Sequence, residues 1–324
     1  MFRLALLDDY QQVALQSADW DALSPECTVT VFHDHLTNES AIASRLHDFD
    51  AVMALRERTP FQRSLLARLP NLKLIASAGM RNAAIDLEAA TELGIVVSGT
   101  EGSSRATMEL TWALILGLLR QVPLEHQATR GGAWQRTLGI GLDGKTIGII
   151  GLGNIGSQMA EVARAFHMDI LAWSQNLTQD RAEANGATLV SKDDLLQNSD
   201  IVTIHTRLSE RTRALLGGRE LALMKPSAYL VNTSRGPIVD EGALISALRS
   251  GTIAGAGLDT FDQEPLPEGH ALLGLDNVLL TPHLGYVTQE TYRTFYGQTM
   301  ENIKSFIEGE PQRVMNPEVL DRRR

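Results

Sequence analysis

A chain of 324 residues is long for a single hydrophobic core, so two domains are expected. Its 44% apolar and 21% charged residues are those of an ordinary globular protein, and a formal net charge of −10 disfavours a nucleic-acid partner. Cys27 is the single cysteine and excludes an intrachain disulfide; it stands at no zinc-ligand spacing, and the longest apolar run, Trp112 to Leu119, is too short to span a bilayer, so the expectation is a cytoplasmic protein with neither metal nor membrane partner.

In chain order, strand-like runs fall at Leu4–Leu7, Val29–Phe32, Ala51–Ala54, Leu74–Ser77 and Ile95–Val97, separated by helix-like stretches such as Ser40–Leu46 and Ser64–Leu69. This alternation predicts a parallel α/β domain. Asp8 and Asp9 at the first strand end invite a metal or acid/base reading, but solvated loop charges before a helix are the expectation. His33 and His35 have no third ligand nearby and read as a partly exposed strand end. The loop Ser77-Ala78-Gly79-Met80-Arg81-Asn82 contains a glycine and a cation, at the kind of strand end where open α/β sheets bind ligands.

Ala106–Arg120 is apolar nearly all round, as in a helix buried between domains or subunits, with Glu109 either paired or at an edge. Gly131, Gly132, Gly139, Gly141 and Gly144 then mark a loop-rich passage. It leads into Thr146-Ile-Gly-Ile-Ile-Gly-Leu-Gly-Asn-Ile-Gly156, a buried-strand pattern followed by glycines at 151, 153 and 156 in G-x-G-x-x-G spacing. Gly151 permits the tight turn, Gly153 admits a pyrophosphate close to the backbone, and Gly156 lets the new helix pack on its strand, with helix-terminal amides facing the anion. Met159, Ala160, Val162, Ala163 and Phe166 would be that helix's core face.

Further strands are expected at Ile170–Trp173, Thr188–Val190, Ile201–His205, Tyr229–Asn232 and Gly255–Asp259, making six with the first, the count of a dinucleotide fold. A helix from Thr288 to about Ile307 returns to complete the first domain, which is therefore discontinuous. Arg235, Glu264 and His283 stand out near strand ends. Arginine offers a planar fork to a carboxylate, histidine exchanges a proton near neutral pH, and a carboxylate orients the imidazole: the parts of a hydride-transfer site on a 2-hydroxy acid. By residue type alone, three ordinary loop charges explain them equally well.

In this order the motifs resemble the D-isomer-specific 2-hydroxyacid dehydrogenase family. The resemblance rests on Gly79 with Ile85-Asp86-Leu87, Glu109 and its apolar helix, Gly144-Lys145-Thr146, Asn232-Thr233-Ser234-Arg235-Gly236, Leu258-Asp259 with Glu264-Pro265, and Thr281-Pro282-His283. It implies two Rossmann-like or flavodoxin-like doubly wound parallel-sheet α/β domains: a discontinuous substrate domain of residues 1–103 and 288–324, and an NAD(P)-binding domain of residues 104–287. It assigns catalysis to Arg235, Glu264 and His283. Cofactor contacts fall on Gly151, Gly153, Asn154, Ile155, Gly156, Ser174, Thr206, Thr212, Thr233 and Asp259, and substrate contacts on Ala78, Gly79 and Arg81. A cytoplasmic homodimer formed through the helix near 106–120 is also implied.

Three departures bear on specificity. Ser174-Gln175-Asn176 replaces the acid frequent after the second nucleotide-fold strand, and Asp169 precedes that strand and so lies at its wrong end. Arg207 stands where proline is usual, and Arg81 where glycine is usual. NAD is the expected cofactor, with NADP also accepted. Arg81 either points to solvent or binds a second anionic group on the substrate. Two other readings stay open: a dehydrogenase of the 3-phosphoglycerate type, and a non-catalytic dinucleotide-sensing scaffold like the family's corepressors.

Overall fold

The computed structural model describes residues 1–321. Its first unit is made of Met1–Ser103 and the segment from Val287 onward, and its second of Ser104–Tyr286. The first unit runs β1 (Phe2–Leu6), β2 (Cys27–Val31), α1 (Glu39–Leu46), β3 (Ala51–Ala54), α2 (Arg63–Leu66), β4 (Leu74–Ser77), α3 (Leu87–Glu92) and β5 (Val96–Gly99). The sheet is wholly parallel in the order β2-β1-β3-β4-β5, the flavodoxin-like order. Every residue of β3, β4 and β5 is buried, which is why they read as continuous apolar runs without alternation. Asn38 and Asp86 cap α1 and α3 by accepting from the amides of Ala41 and Ala89.

The β1 end corrects the expectation of solvated charges. Asp8 and Asp9 are only 2% and 1% exposed. Asp8 accepts from Thr59 Oγ1 at 2.9 Å and pairs with His35 Nδ1 at 2.8 Å, while the Asp9 carboxylate accepts from the amides of Val13 and Ala14. Buried carboxylates persist because internal donors replace water. β2 ends at Val31, so His33 and His35 lie beyond it, and His33 Nδ1 sits 3.1 Å from the Asp9 carbonyl oxygen.

The second unit opens with α4 (Ser104–Leu119) and α5 (Val122–Arg130), then β6 (Thr146–Ile150), α6 (Asn154–Ala165), β7 (Asp169–Trp173), α7 (Gln179–Ala184), β8 (Thr188–Leu189), α8 (Lys192–Asn198) and β9 (Ile201–Ile204). α9 (Gly218–Leu223), β10 (Tyr229–Asn232), α10 (Glu241–Ser250), β11 (Gly255–Leu258) and β12 (Val278–Leu280) follow. The parallel order is β12-β11-β10-β9-β6-β7-β8. Seven strands replace the expected six, and the added β12 pairs with β11 through Ala256–Val278 and Leu258–Leu280. Apolar cores cover both faces, one including Ile150, Leu195 and Leu230, the other Ile115, Ile147 and Met159.

α4 is buried within its own unit: Leu114, Ile115 and Leu119 join the second core, and the Trp112 ring meets Phe166 at 5.1 Å. Glu109 is exposed, at the edge of that helix. The chain then returns to the first unit as α11 (Gln289–Ile307), capped by Thr288 and burying Phe295 and Tyr296, and ends its described part in α12 (Glu318–Asp321). Asn302 donates to the Gly99 carbonyl at 2.9 Å, and Asn316 accepts from Val97 N at 2.8 Å, tying this return to β5.

Candidate active site

The loop between β6 and α6 is shaped by what its glycines touch. Gly151 adopts φ +100°, and a Cβ there would lie 2.7 Å from the His205 carbonyl, so the glycine loop and the loop leaving β9 meet backbone to backbone. A Cβ on Gly156 would lie 2.1 Å from the Gly151 carbonyl oxygen, the close approach of helix to strand. Gly153 differs. A methyl there would meet no protein atom within 4 Å, and Gly153 caps α6 without any side-chain bond. No packing contact requires that missing Cβ, and the first α6 amides have no side-chain acceptor among the described residues, so the loop fits the pyrophosphate of a dinucleotide.

The other proposed cofactor contacts begin α6 or follow β7, β9, β10 and β11. Asn154 and Ile155 begin α6, and Ser174 is the first residue beyond β7, half-buried. The Thr206 carbonyl accepts from Ser234 Oγ. Thr212 Oγ1 donates to the Arg207 carbonyl at 2.5 Å, bracing its own loop, and Thr233 Oγ1 lies 2.8 Å from Thr111 Oγ1 of α4. His205 is held 2.9 Å from Thr203 Oγ1, and burial pushes its imidazole down to about 3, so it is neutral.

Arg235, Glu264 and His283 follow β10, β11 and β12, three adjacent strands, and so emerge at one edge. Gly236 brings the first two loops together: a Cβ there would sit 2.1 Å from the Phe261 carbonyl carbon. Asn232 shapes the arginine loop by donating to the Arg235 carbonyl at 2.9 Å and accepting from Ser234 N at 3.0 Å. Glu264 accepts from Phe261 N at 2.9 Å through Oε1 and from His283 Nδ1 at 2.5 Å through Oε2. With Nδ1 bound, Nε2 is the ring nitrogen left for a substrate, and it has no partner among the described residues. His283 has φ +54°, an unfavourable backbone for a side chain of its size, so surrounding contacts must impose it.

Those contacts come from Asp259. Fully buried, it accepts from Thr281 Oγ1 at 2.6 Å, Leu284 N at 2.7 Å and Gly285 N at 2.9 Å, clamping the chain on both sides of His283. Burial raises its carboxyl above the usual range, against these donors and the His283 charge. Tyr286 packs edge-on to the imidazole at 5.6 Å.

In the first unit, Ala78 is buried and Gly79 adopts φ +95°, with its amide donating to Thr100 Oγ1 at 2.8 Å. The Gly79 amide is therefore occupied within the protein. Neither Met80 N nor Arg81 N has an acceptor among the described residues. Arg56 Nη1 donates to the Ala78 carbonyl at 3.1 Å, and the exposed Arg81 side chain makes no hydrogen bond or ion pair among the described residues.

The family model described as D-isomer specific 2-hydroxyacid dehydrogenase, NAD binding domain, matches residues 112–285. A glyoxylate reductase of Aeropyrum pernix is 43% identical over 267 residues, 79% of this chain and 80% of that protein. The chain belongs to the D-isomer-specific 2-hydroxyacid dehydrogenase family. A D-3-phosphoglycerate dehydrogenase of Methanocaldococcus jannaschii is 39% identical over 85% of this chain, which spans about half (53%) of that relative's length. The crystal structure of a putative D-3-phosphoglycerate dehydrogenase oxidoreductase from Ralstonia solanacearum superposes with a TM-score of 0.93 at 37% identity, covering 99% of this chain and 98% of that one.

This 2-hydroxyacid dehydrogenase is thus an NAD(P)-dependent oxidoreductase acting on a CH–OH group, with an NAD-binding domain in its second unit. Sequence reasoning misses the roles of several site-building residues. Asn232 and Gly236 appear only as part of a motif, and Asp259 only as a cofactor contact, because their partners lie on other loops. Tyr286 carries no signal at all before its ring is seen against His283.

Proposed function

We propose that the enzyme interconverts a D-2-hydroxy acid and its 2-keto acid, with His283 as acid/base, Glu264 as the group that orients it, and Arg235 as the carboxylate-binding residue. The 2.5 Å hydrogen bond from His283 Nδ1 to Glu264 carries this reading. In the reducing direction, bound NADH or NADPH supplies the hydride that forms the new C–H bond. The His283 Nε2–H donates to the keto oxygen and gives it the proton that completes the hydroxyl. Glu264 stabilises the imidazolium before transfer, and Arg235 offers a planar fork to the carboxylate and polarises the adjacent carbonyl.

Gly151, Gly153, Asn154, Ile155 and Gly156 would hold the pyrophosphate, and Ser174, Thr206, Thr212, Thr233 and Asp259 are the further proposed contacts. NAD is the proposed cofactor with weak discrimination, since Ser174, Gln175 and Asn176 offer hydrogen bonds without an acid's repulsion of a phosphate. Ala78, Gly79 and Arg81 are the proposed substrate contacts of the first unit, where the amides of Met80 and Arg81 add free donors.

The substrate is a small keto acid such as glyoxylate, the class in the Aeropyrum relative's name. A second reading, an acid bearing a further anionic group as in 3-phosphoglycerate, is favoured by the unpartnered Arg81 and by the Methanocaldococcus relative. A homodimer in the cytoplasm is proposed as well. Val122 and Leu124 of α5 and Trp134 and Leu138 of the passage after it are exposed by 54%, 42%, 78% and 97%, apolar side chains that contact with a second copy of this chain would cover. No helix among the described residues is long and apolar enough to cross a membrane. A panel of 2-keto acids assayed with NADH and NADPH tests the reading: consumption of reduced cofactor is expected with at least one member, and none with any would overturn it.

A further inference from the structure

The loop from β9 to α9 reads Arg207-Leu-Ser-Glu-Arg211-Thr-Arg213, three arginines against one glutamate in a chain of net charge −10. All three arginines are exposed, and none makes a side-chain hydrogen bond or ion pair among the described residues. Exposed arginine without an ion pair is common in this unit, Arg130, Arg164 and Arg249 being others among the described residues, so exposure alone marks nothing. What sets this loop apart is its position.

In the strand order β8-β7-β6-β9-β10-β11-β12, the chain's progression across the sheet reverses between β6 and β9. Doubly wound sheets bind their dinucleotide outside the strand ends at that switch point, with the adenosine ribose toward the end of the strand following the glycine helix, here β7. Trp173 and Ile204 flank Ile150 in register, so the ends of β7 and β9 stand on either side of β6, roughly 10 Å apart at ordinary strand spacing. The backbone of His205 and Thr206 presses on Gly151, which sets Arg207 at the rim of the glycine loop. Its carbonyl is fixed by Thr212 Oγ1, so the side chain starts from a braced backbone.

We propose that Arg207 recognises the 2′-phosphate of NADP, supplying from β9 the cation that Ser174-Gln175-Asn176 does not supply from β7. The inference rests on the dinucleotide reading of the glycine loop. A guanidinium suits a phosphate because it is permanently charged and offers paired donors to the phosphate oxygens. Arg211 and Arg213, further along the loop, add a screened positive field without that contact.

The test is equilibrium binding, read by fluorescence of the reduced nicotinamide, for NADPH and NADH with wild type, Arg207→Ala, Arg207→Lys and the double variant Arg211→Ala/Arg213→Ala. Arg207→Ala is expected to weaken NADPH by about 10- to 100-fold, the scale of one charge-assisted hydrogen bond, while changing NADH less than about threefold. Lysine recovers part of the loss, and the double variant costs NADPH less than about fivefold. NADH binding also reports that each variant is folded. Equal loss for both cofactors, an unchanged NADPH-to-NADH ratio, or a wild type that binds NADH alone overturns the assignment of Arg207 and leaves the dinucleotide site standing. Failure of wild type to bind either cofactor overturns both.

Discussion

The proposed catalytic edge of the second unit and the Ala78–Asn82 loop of the first show opposite construction. At the catalytic edge, the Asp259 carboxylate takes three donors around His283, Glu264 takes two, and Gly236 lets two loops touch backbone to backbone. In the Ala78–Asn82 loop, the backbone is anchored by Thr100 and Arg56, while Arg81 and two consecutive amides are left without partners among the described residues. This contrast suits the proposed roles: groups that would hold one geometry through the reaction are locked by neighbours, whereas groups proposed to choose among substrates keep their donors free.

Filling the contact at Gly236 attacks the locked region first. Gly236→Ala places a methyl 2.1 Å from a backbone carbon, and overpacking against atoms that cannot rotate away costs about 3 kcal/mol. That corresponds to roughly 6–12 °C in Tm, with turnover falling alongside. Calorimetry showing an unchanged Tm would mean that the two loops are not interlocked.

The open region answers to charge instead. If Arg81 binds a second anionic group, Arg81→Ala should lower kcat/KM for a dicarboxylic keto acid by about 10- to 150-fold, the value of a hydrogen bond of about 1.5–3 kcal/mol, and barely change it for a monocarboxylic acid of equal length. Equal effects on both acids, or none, would return Arg81 to solvent. The smallest expected change is in the cofactor. Ser174→Asp adds an acid that binds ribose hydroxyls and repels the extra phosphate, so the NADH-to-NADPH ratio of kcat/KM should rise about tenfold, near 1.4 kcal/mol.

The two regions are also unequally legible in the sequence. Buried parallel strands announce themselves as short apolar runs, so β3, β4, β6, β9 and β10 are readable directly, as are the glycines at 151, 153 and 156. β12 escapes because Val278–Leu280 is three partly exposed residues at the sheet edge, too short for any period to show. Its omission conceals how His283 is held, since only the β11–β12 pairing brings Asp259 to Thr281, Leu284 and Gly285. Asp8 and Asp9 mislead for a related reason: adjacent acids look solvated until the donors from Thr59, His35 and the Val13–Ala14 amides are seen around them. Residue type suggests what a group can do, but its partners, distant in sequence, decide whether it is a tool or a fastening.

His283 is the residue for which that distinction matters most. Turnover of a 2-keto acid by His283→Ala, measured together with its affinity for NADH, tests the central claim that this imidazole carries the proton. Loss of a proton-transfer group predicts a kcat lower by about 10²- to 10⁴-fold with NADH affinity changed less than about twofold. A variant that turns over near the wild-type rate would contradict the account.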